Sequence, residues 1–384
     1  MTSTQQGIFV AMNRTFIDRF QYYRDSYVKA RLQGDIDRQR LWEIYEVAHP
    51  HFDDNKPYAI DLLKQGAALS QNLRERCWEL LFDFWQYEVD LNQPERLDMI
   101  IKLFVKANQP KYRECTLLGD IYASLLRAYL WYDPLGYEGE ILDGIQYVLN
   151  NLPLPQDTFI IVLWTKMQLL LEMRDYDGVL KTSKTYFRYA ENYNTHLAWG
   201  YTILLQTYYH QDDLVLALQA AGDLEQAAER AKNDSLVFTA LKWQYTIYHR
   251  MGDSFSLNNV SRTMRQYDTK QLSGYDAMHD AEYEYDKHAF GWLGKLALIR
   301  SSEHRIEGAI KANRPYLECK TRLRRLAAFL SLPTWFRWLV HLLLPIPSVE
   351  SQVADAQIAA EKLIKPEPML ERIEQVAAGK IKQL

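Results

Sequence analysis

The sequence predicts an all-α solenoid of stacked antiparallel helix pairs, and three observations carry that expectation. Breakers are scarce: the 384 residues hold 16 Gly and 13 Pro, and no proline lies between Pro155 and Pro315. A short Asp-containing turn recurs at Asp175, Asp213 and Asp253, at spacings of 38 and 40. Around each turn the apolar residues repeat with helical rather than strand spacing. Turns at roughly 40-residue intervals, each joining two helices, mark a repeat array.

Taken in order, residues 1–70 read as an N-terminal helical region, with "LQGDIDRQ" (32–39) as a turn and "HPHFDDNKP" (49–57) as a connector. Residues 71–312 read as repeats. The clearest are "LLLEMRDYDGVLKTSKTYFRYA" (169–190), "LLQTYYHQDDLVLALQAAGDL" (204–224) and "QYTIYHRMGDSFSLNNVSRTM" (244–264). Weaker turns fall near Asn92 and Asp133 before them and near Ser302 after them. The Asp of each clear turn is placed to accept backbone N–H groups at the start of the following helix, where the dipole also favours negative charge. One helix pair cannot bury both of its apolar stripes, so successive pairs stack and share a core. Trp199, Leu204, Leu205 and Tyr208 would face Leu214, Ala217, Leu218 and Ala221, and small Ala217, Ala220 and Ala221 permit close approach.

Residues 313–348 form a basic, apolar helical hairpin, "RLRRLAAFLSLPTWFRWLVHLLLPIP", divided at Pro333. It is too interrupted for a membrane span. Capping the open end of the stack is its expected role, with self-association or docking on a membrane surface as the other uses that Arg322, Arg324, Arg325, Trp335, Arg337 and Trp338 suit. Residues 349–384 read as two polar helices split at Pro366 and Pro368.

"RDYDGVL" (174–180), "DDLVLAL" (212–218) and "GDSFSLN" (252–258) resemble the helix–turn–helix junction of the tetratricopeptide repeat, with Leu170, Tyr208 and Tyr248 on its aromatic position. The period here is longer than that family's, and Met167, Leu205 and Tyr245 stand where it has a small residue. The resemblance implies a right-handed superhelix whose concave face, lined by first helices, binds protein or peptide. Carried onto this chain, that face holds Trp164, Gln168 and Glu172, then Trp199, Thr202, Gln206 and His210, then Lys242, Thr246 and Arg250. Amide and hydroxyl groups at mid-helix suit the backbone of an extended peptide. Longer-helix relatives in bacterial regulators imply a second reading, a peptide sensor acting on a separate effector.

Charge and chemistry narrow the function further. The net charge is −4, which calls for no nucleic-acid partner. From Cys319 to Val349 there are five Lys or Arg and no acid, the only directional bias in the chain. Cys77, Cys115 and Cys319 fit no disulfide framework and point to a reducing, cytoplasmic setting, membrane-associated if the hairpin docks on lipid. The N-terminus lacks a signal-peptide pattern. No GxxxxGK[ST], GxGxxG, HExxH or GxSxG motif occurs, so a non-enzymatic adaptor or scaffold without cofactor is expected. "HPHFDD" offers His49, His51, Asp53 and Asp54 as donors for a divalent cation, but a polar capping loop accounts for them and no metal is expected. Asp276, Asp280 and Glu284 share one helical face, expected to be solvated, with recognition of a basic peptide as the sharper use. Trp164, Trp199, Trp243 and Trp292 recur once per unit and are expected in the core.

Overall fold

The computed structural model describes residues 15–52, 55–90, 94–267, 292–343 and 346–380. Among the described residues the chain is helical with no strand, and consecutive helices pack against each other as in an α-solenoid. The helices are α1 (Gln21–Gln33), α2 (Ile36–Ala48), α3 (Lys56–Asn72), α4 (Arg76–Val89), α5 (Arg96–Ala107), α6 (Leu118–Tyr132), α7 (Glu138–Asn151), α8 (Gln156–Glu172) and α9 (Tyr176–Ala190). There follow α10 (Asn194–His210), α11 (Leu214–Arg230), α12 (Asp234–Met251), α13 (Ser254–Met264), α14 (Trp292–Lys311), α15 (Pro315–Leu330), α16 (Thr334–Leu343), α17 (Val349–Ala360) and α18 (Glu367–Ala377). The described residues of Met1–Leu91, Asp98–Leu125 and Asp143–Val162 form one compact unit; those of Asn92–Leu97, Leu126–Leu142 and Leu163–Leu384 form a second.

One device builds five of the turns. A residue in the left-handed region ends one helix and the residue after it caps the next: Arg174 (φ 61) before Asp175, Asp212 (φ 65) before Asp213, Gly252 (φ 75) before Asp253. The aspartate serves both helices. Its backbone N–H donates back to the carbonyl five residues earlier, at 2.8 Å for Asp175 to Leu170, 2.9 Å for Asp213 to Tyr208 and 3.0 Å for Asp253 to Tyr248. That is the closing bond of a Schellman motif. Its carboxylate then accepts from the N–H three residues on, Gly178 at 2.9 Å, Leu216 at 3.0 Å and Ser256 at 3.1 Å. The capping role expected of these three residues is what the structure shows. The same device also joins α11 to α12 through Lys232 (φ 53) and Asn233, and α1 to α2 through Gly34 and Asp35.

No such turn forms at Ser302. α14 runs unbroken from Trp292 to Lys311, and the Ser302 hydroxyl donates to the Ile299 carbonyl within the helix. "RSSE" offers no Asp or Asn to cap a following helix, as Asp175, Asp213 and Asp253 do at the turns that form. The break comes instead at Asn313 (φ 49), ahead of Pro315 at the first position of α15, where proline costs no hydrogen bond. The turn expected near Asn92 lies outside the described residues.

The first unit packs around Trp78, which is fully buried against Tyr23 at 5.0 Å and Phe82 at 5.9 Å between ring centres. A Cβ on Gly66 of α3 would come within 2.5 Å of the Phe82 ring, so this close approach requires glycine. Cys77 and Cys115 are joined as a disulfide, with Cα atoms 5.0 Å apart, and the Tyr23 hydroxyl sits 3.2 Å from the carbonyl of each. This corrects the expectation of a chain without a disulfide. The two cysteines are 38 residues apart in no paired motif, and only helix packing brings them together; Cys319 is buried and free. In the same unit Arg19 reaches Asp120 at 2.9 Å and Asp157 at 2.7 Å, and the Thr158 hydroxyl bonds Asp120.

In the second unit α10, α11, α12 and α13 share an alanine-rich core around Phe238 and Leu224. Ala217, Ala220 and Ala221 of α11 pack with Leu205 of α10 and Ile247 of α12, as their small size predicts. Farther along, α15 packs with α17 and α18 through Cys319, Leu323, Leu326, Ala356, Ala360, Met369 and Ile373. The Pro333 break holds, with α15 ending at Leu330 and α16 starting at Thr334. The first helix of the hairpin and the C-terminal helices therefore share a core, while α16 packs in a separate cluster with Ile299, Phe329, Leu332 and Ile346.

Candidate functional site

The residues implied for a binding face lie on three successive first helices, α8, α10 and α12, and from Trp164 to Arg250 all of them belong to the second unit. On α10 the positions Trp199, Thr202, Gln206 and His210 fall within about one quarter of the helix circumference. Trp199, Thr202 and Gln206 are half-buried, as are Trp164, Gln168 and Glu172 on α8 and Lys242 and Thr246 on α12. The Trp164 and Trp199 rings are 6.2 Å apart, which puts α8 and α10 in matching register, and His196 meets Trp199 edge-on at 5.0 Å. Trp243 packs edge-on against Tyr209 at 5.4 Å. These tryptophans are half-buried rather than fully in the core, because each covers a seam between neighbouring first helices. The side chain of Trp292 lies outside the described residues.

The polar members bond along their own helices. The Thr202 hydroxyl donates to the Ala198 carbonyl at 3.0 Å, the Gln206 amide to the Thr202 carbonyl at 3.2 Å, and the Thr246 hydroxyl to the Lys242 carbonyl at 2.9 Å. None of these bonds holds one helix to another, so the three side chains can be exchanged without unfastening the stack.

At the turn end of the row the charges are engaged. Arg250 lies over the Tyr209 ring at 4.9 Å and bonds the Asp212 carboxylate at 2.8 Å and the Tyr209 carbonyl at 3.2 Å. His210 stacks on Tyr176 at 6.2 Å. Desolvation, with Arg174 adding positive charge, holds its imidazole below the usual pKa. Glu172 accepts from the Tyr316 hydroxyl at 2.6 Å and from the Lys320 ammonium at 3.0 Å, both on α15. Burial works against its charge, but Lys320 and the Tyr316 hydroxyl outweigh it, and the carboxyl sits below its ordinary pKa. Beside it opens a cavity of about 310 Å³ lined by Leu135, Glu138, Arg174, Pro368, Glu371 and Arg372 among others. The turn before α18 is fixed there by Asp133, whose carboxylate accepts from the backbone N–H of Ile364 at 2.7 Å and of Lys365 at 3.2 Å.

Tyr316, Lys320, Arg174 and Arg372 are residues that sequence reasoning missed. The Tyr316–Glu172 bond spans 144 residues, and nothing local in either segment announces it.

The hairpin residues divide. Arg322 is paired with Glu318 at 3.0 Å and Asp355 at 3.5 Å. Arg325 is 5% exposed, and burial, with Arg322 nearby, lowers its pKa. Arg324 lies close enough to Arg305 to add to the burial that pushes the Arg305 guanidinium down to about 10. Trp335, Arg337 and Trp338 are on α16, where Arg337 donates to the Thr334 hydroxyl at 3.0 Å and both tryptophans are exposed.

Of the residues weighed for a metal, His49 and His51 form a short 3-10 turn and are packed among rings: His49 against Tyr45, Phe52 and Trp85, His51 against Tyr58. Asp53 and Asp54 lie outside the described residues, as do Asp276, Asp280 and Glu284. Among the described residues no three His, Cys, Asp or Glu side chains converge as a ligand set. None of the described helices is long and apolar enough to cross a membrane. No family model matches this chain, and no curated protein matches it.

Proposed function

We propose that the second unit is a tetratricopeptide-like array that works as a non-enzymatic adaptor, holding an extended peptide segment of a partner protein across the first helices α8, α10 and α12. The observation that carries this reading is the row itself. Trp164 and Trp199 meet at 6.2 Å in matching positions, and Thr202, Gln206 and Thr246 continue the row with hydroxyl and amide groups tied only to their own helices. Half-buried aromatic surface supplies apolar contact area, and the polar groups supply partners for a peptide backbone. The α15 residues Tyr316 and Lys320 close the row at Glu172, which leaves the stretch from Trp199 to Thr246 as the working part.

The test is selection of peptides from a random display library on the immobilised full chain, followed by binding of the selected peptides to the Gln206→Ala, Lys242→Ala double variant. The reading expects roughly tenfold weaker binding, about 1.4 kcal/mol, with an unchanged melting temperature. Undiminished binding by the double variant contradicts it.

A further inference from the structure

We infer that α16 is a surface-lying membrane anchor that places Trp338 and Leu342, with Trp335 beside them, in the headgroup layer of an anionic phospholipid surface. The sequence of α16, TWFRWLVHLL, contains no acid. Its inner side is fastened to the fold, since Val340 and Phe336 pack with Ile299, Phe329, Leu332 and Ile346. Its outer side is the reverse of what water favours: Trp335 is 60%, Trp338 68% and Leu342 65% exposed. Positions i, i+3 and i+7 make these one stripe along the helix, and a contiguous exposed stripe of two tryptophans and a leucine is the kind of surface that marks an interaction site.

The chemistry of the stripe favours lipid. Tryptophan suits the boundary between headgroup and acyl chain, where the ring is apolar and its N–H finds water or phosphate. Arg337 and His341 flank Trp338 around a shallow groove of about 270 Å³, whose remaining lining is Phe329, Thr334, Ser348 and Val349, with no carboxylate. The Arg337–Thr334 bond at 3.0 Å holds the guanidinium at the surface beside the tryptophan, and Lys295 lies nearby with its ammonium on the Ser331 carbonyl at 3.3 Å. A basic helix with an outward apolar stripe and no acid on it matches the pattern of interfacial amphipathic helices bound to anionic lipid.

The experiment is flotation of the full chain with phosphatidylcholine vesicles prepared with and without phosphatidylserine. The proposal expects flotation that requires phosphatidylserine and weakens as salt is raised. Trp338→Ser with Leu342→Ser should reduce it roughly tenfold or more, and Arg337→Glu should reduce it as well. The double variant should keep the wild-type melting temperature, since the Trp338 and Leu342 side chains are exposed. Absence of flotation on either vesicle overturns the proposal, as does wild-type flotation by the double variant. A concentration-dependent dimer that the double variant abolishes, without vesicle binding, assigns the stripe to a second copy of the chain and also overturns it.

Discussion

The Tyr316 hydroxyl donates to the Glu172 carboxylate at 2.6 Å, joining the first turn of α15 to the last turn of α8 across 144 residues of sequence. With Lys320 at 3.0 Å on the same carboxylate, this is the point where a predicted binding-face residue is taken up by the chain's own C-terminal helices. Tyr316→Phe keeps the packing of the ring in the α15–α17–α18 core and removes the hydroxyl's bonds with Glu172 and Arg372. A hydrogen bond to a charged group contributes about 1.5–3 kcal/mol, and the variant should lose an amount in that range on urea denaturation at neutral pH. The sign with pH follows from the lowered pKa of Glu172. Stability from this group is complete above the usual glutamate pKa and is lost as pH falls below it through the lowered pKa of the folded state. The Glu172→Gln variant should lack that part of the acid limb.

Asp120 predicts the opposite slope. It is 4% exposed, one carboxylate oxygen is buried without a hydrogen-bond partner, and burial, opposed by Arg19, pushes its pKa up to about 6. A carboxyl whose folded pKa is raised contributes stability that is present below its unfolded pKa of 3.8 and is lost as pH rises through about 6. Two pKa units correspond to about 3 kcal/mol. Denaturation of Asp120→Asn measured between pH 4 and 7 should be flatter than wild type by an amount of that order.

The left-handed turn residues give a paired prediction. Lys232 holds φ 53 with a side chain that the left-handed region disfavours, while Asn233 caps α12 through the Leu236 N–H at 3.1 Å. Lys232→Gly should raise stability by about 0.5–1 kcal/mol, the relief of strain less the entropy glycine adds to the unfolded chain. Asn233→Ala should lower it by about 1 kcal/mol. Chemical denaturation of the two single variants, read against wild type, checks both signs.

The Cys77–Cys115 bond closes a loop across a sequence separation of 38. In the chain-entropy picture a loop of that size stabilises by about 3–4 kcal/mol. Cys77→Ser, Cys115→Ser should therefore melt well below the oxidised wild type, and reduction of the wild type with dithiothreitol should close most of the gap.

Much of the fold is legible because its rules are local. Asp175, Asp213 and Asp253 announce themselves by position and by residue type, and the caps they make are those their chemistry predicts. The alanines of α11 likewise reveal a close helix approach. Ser302 misleads because only the repeat spacing suggests a turn there, and no Asp or Asn stands ready to cap a following helix. At Lys232 and Asn313 the chain also turns through the left-handed region, with Asn233 and Pro315 starting the helices that follow. The candidate site is legible in part: the Trp164–Trp199 register follows from the repeat, but the closure at Glu172 depends on Tyr316 and Lys320, whose approach is set by tertiary packing. The arginines of the hairpin divide for the same reason. Sequence shows a basic stretch, and only the packing of α15 and α16 shows Arg322 paired, Arg325 buried and Arg337 half-buried with one amino group on the Thr334 hydroxyl.

Hydrogen–deuterium exchange on the full chain, with and without a peptide selected on it, tests the central claim most directly. Binding across the first helices predicts added protection on α10 and α12, centred on Trp199 to Gln206 and Lys242 to Thr246, and on the Trp164 turn of α8. Protection confined to other helices, with those three unchanged, would contradict it.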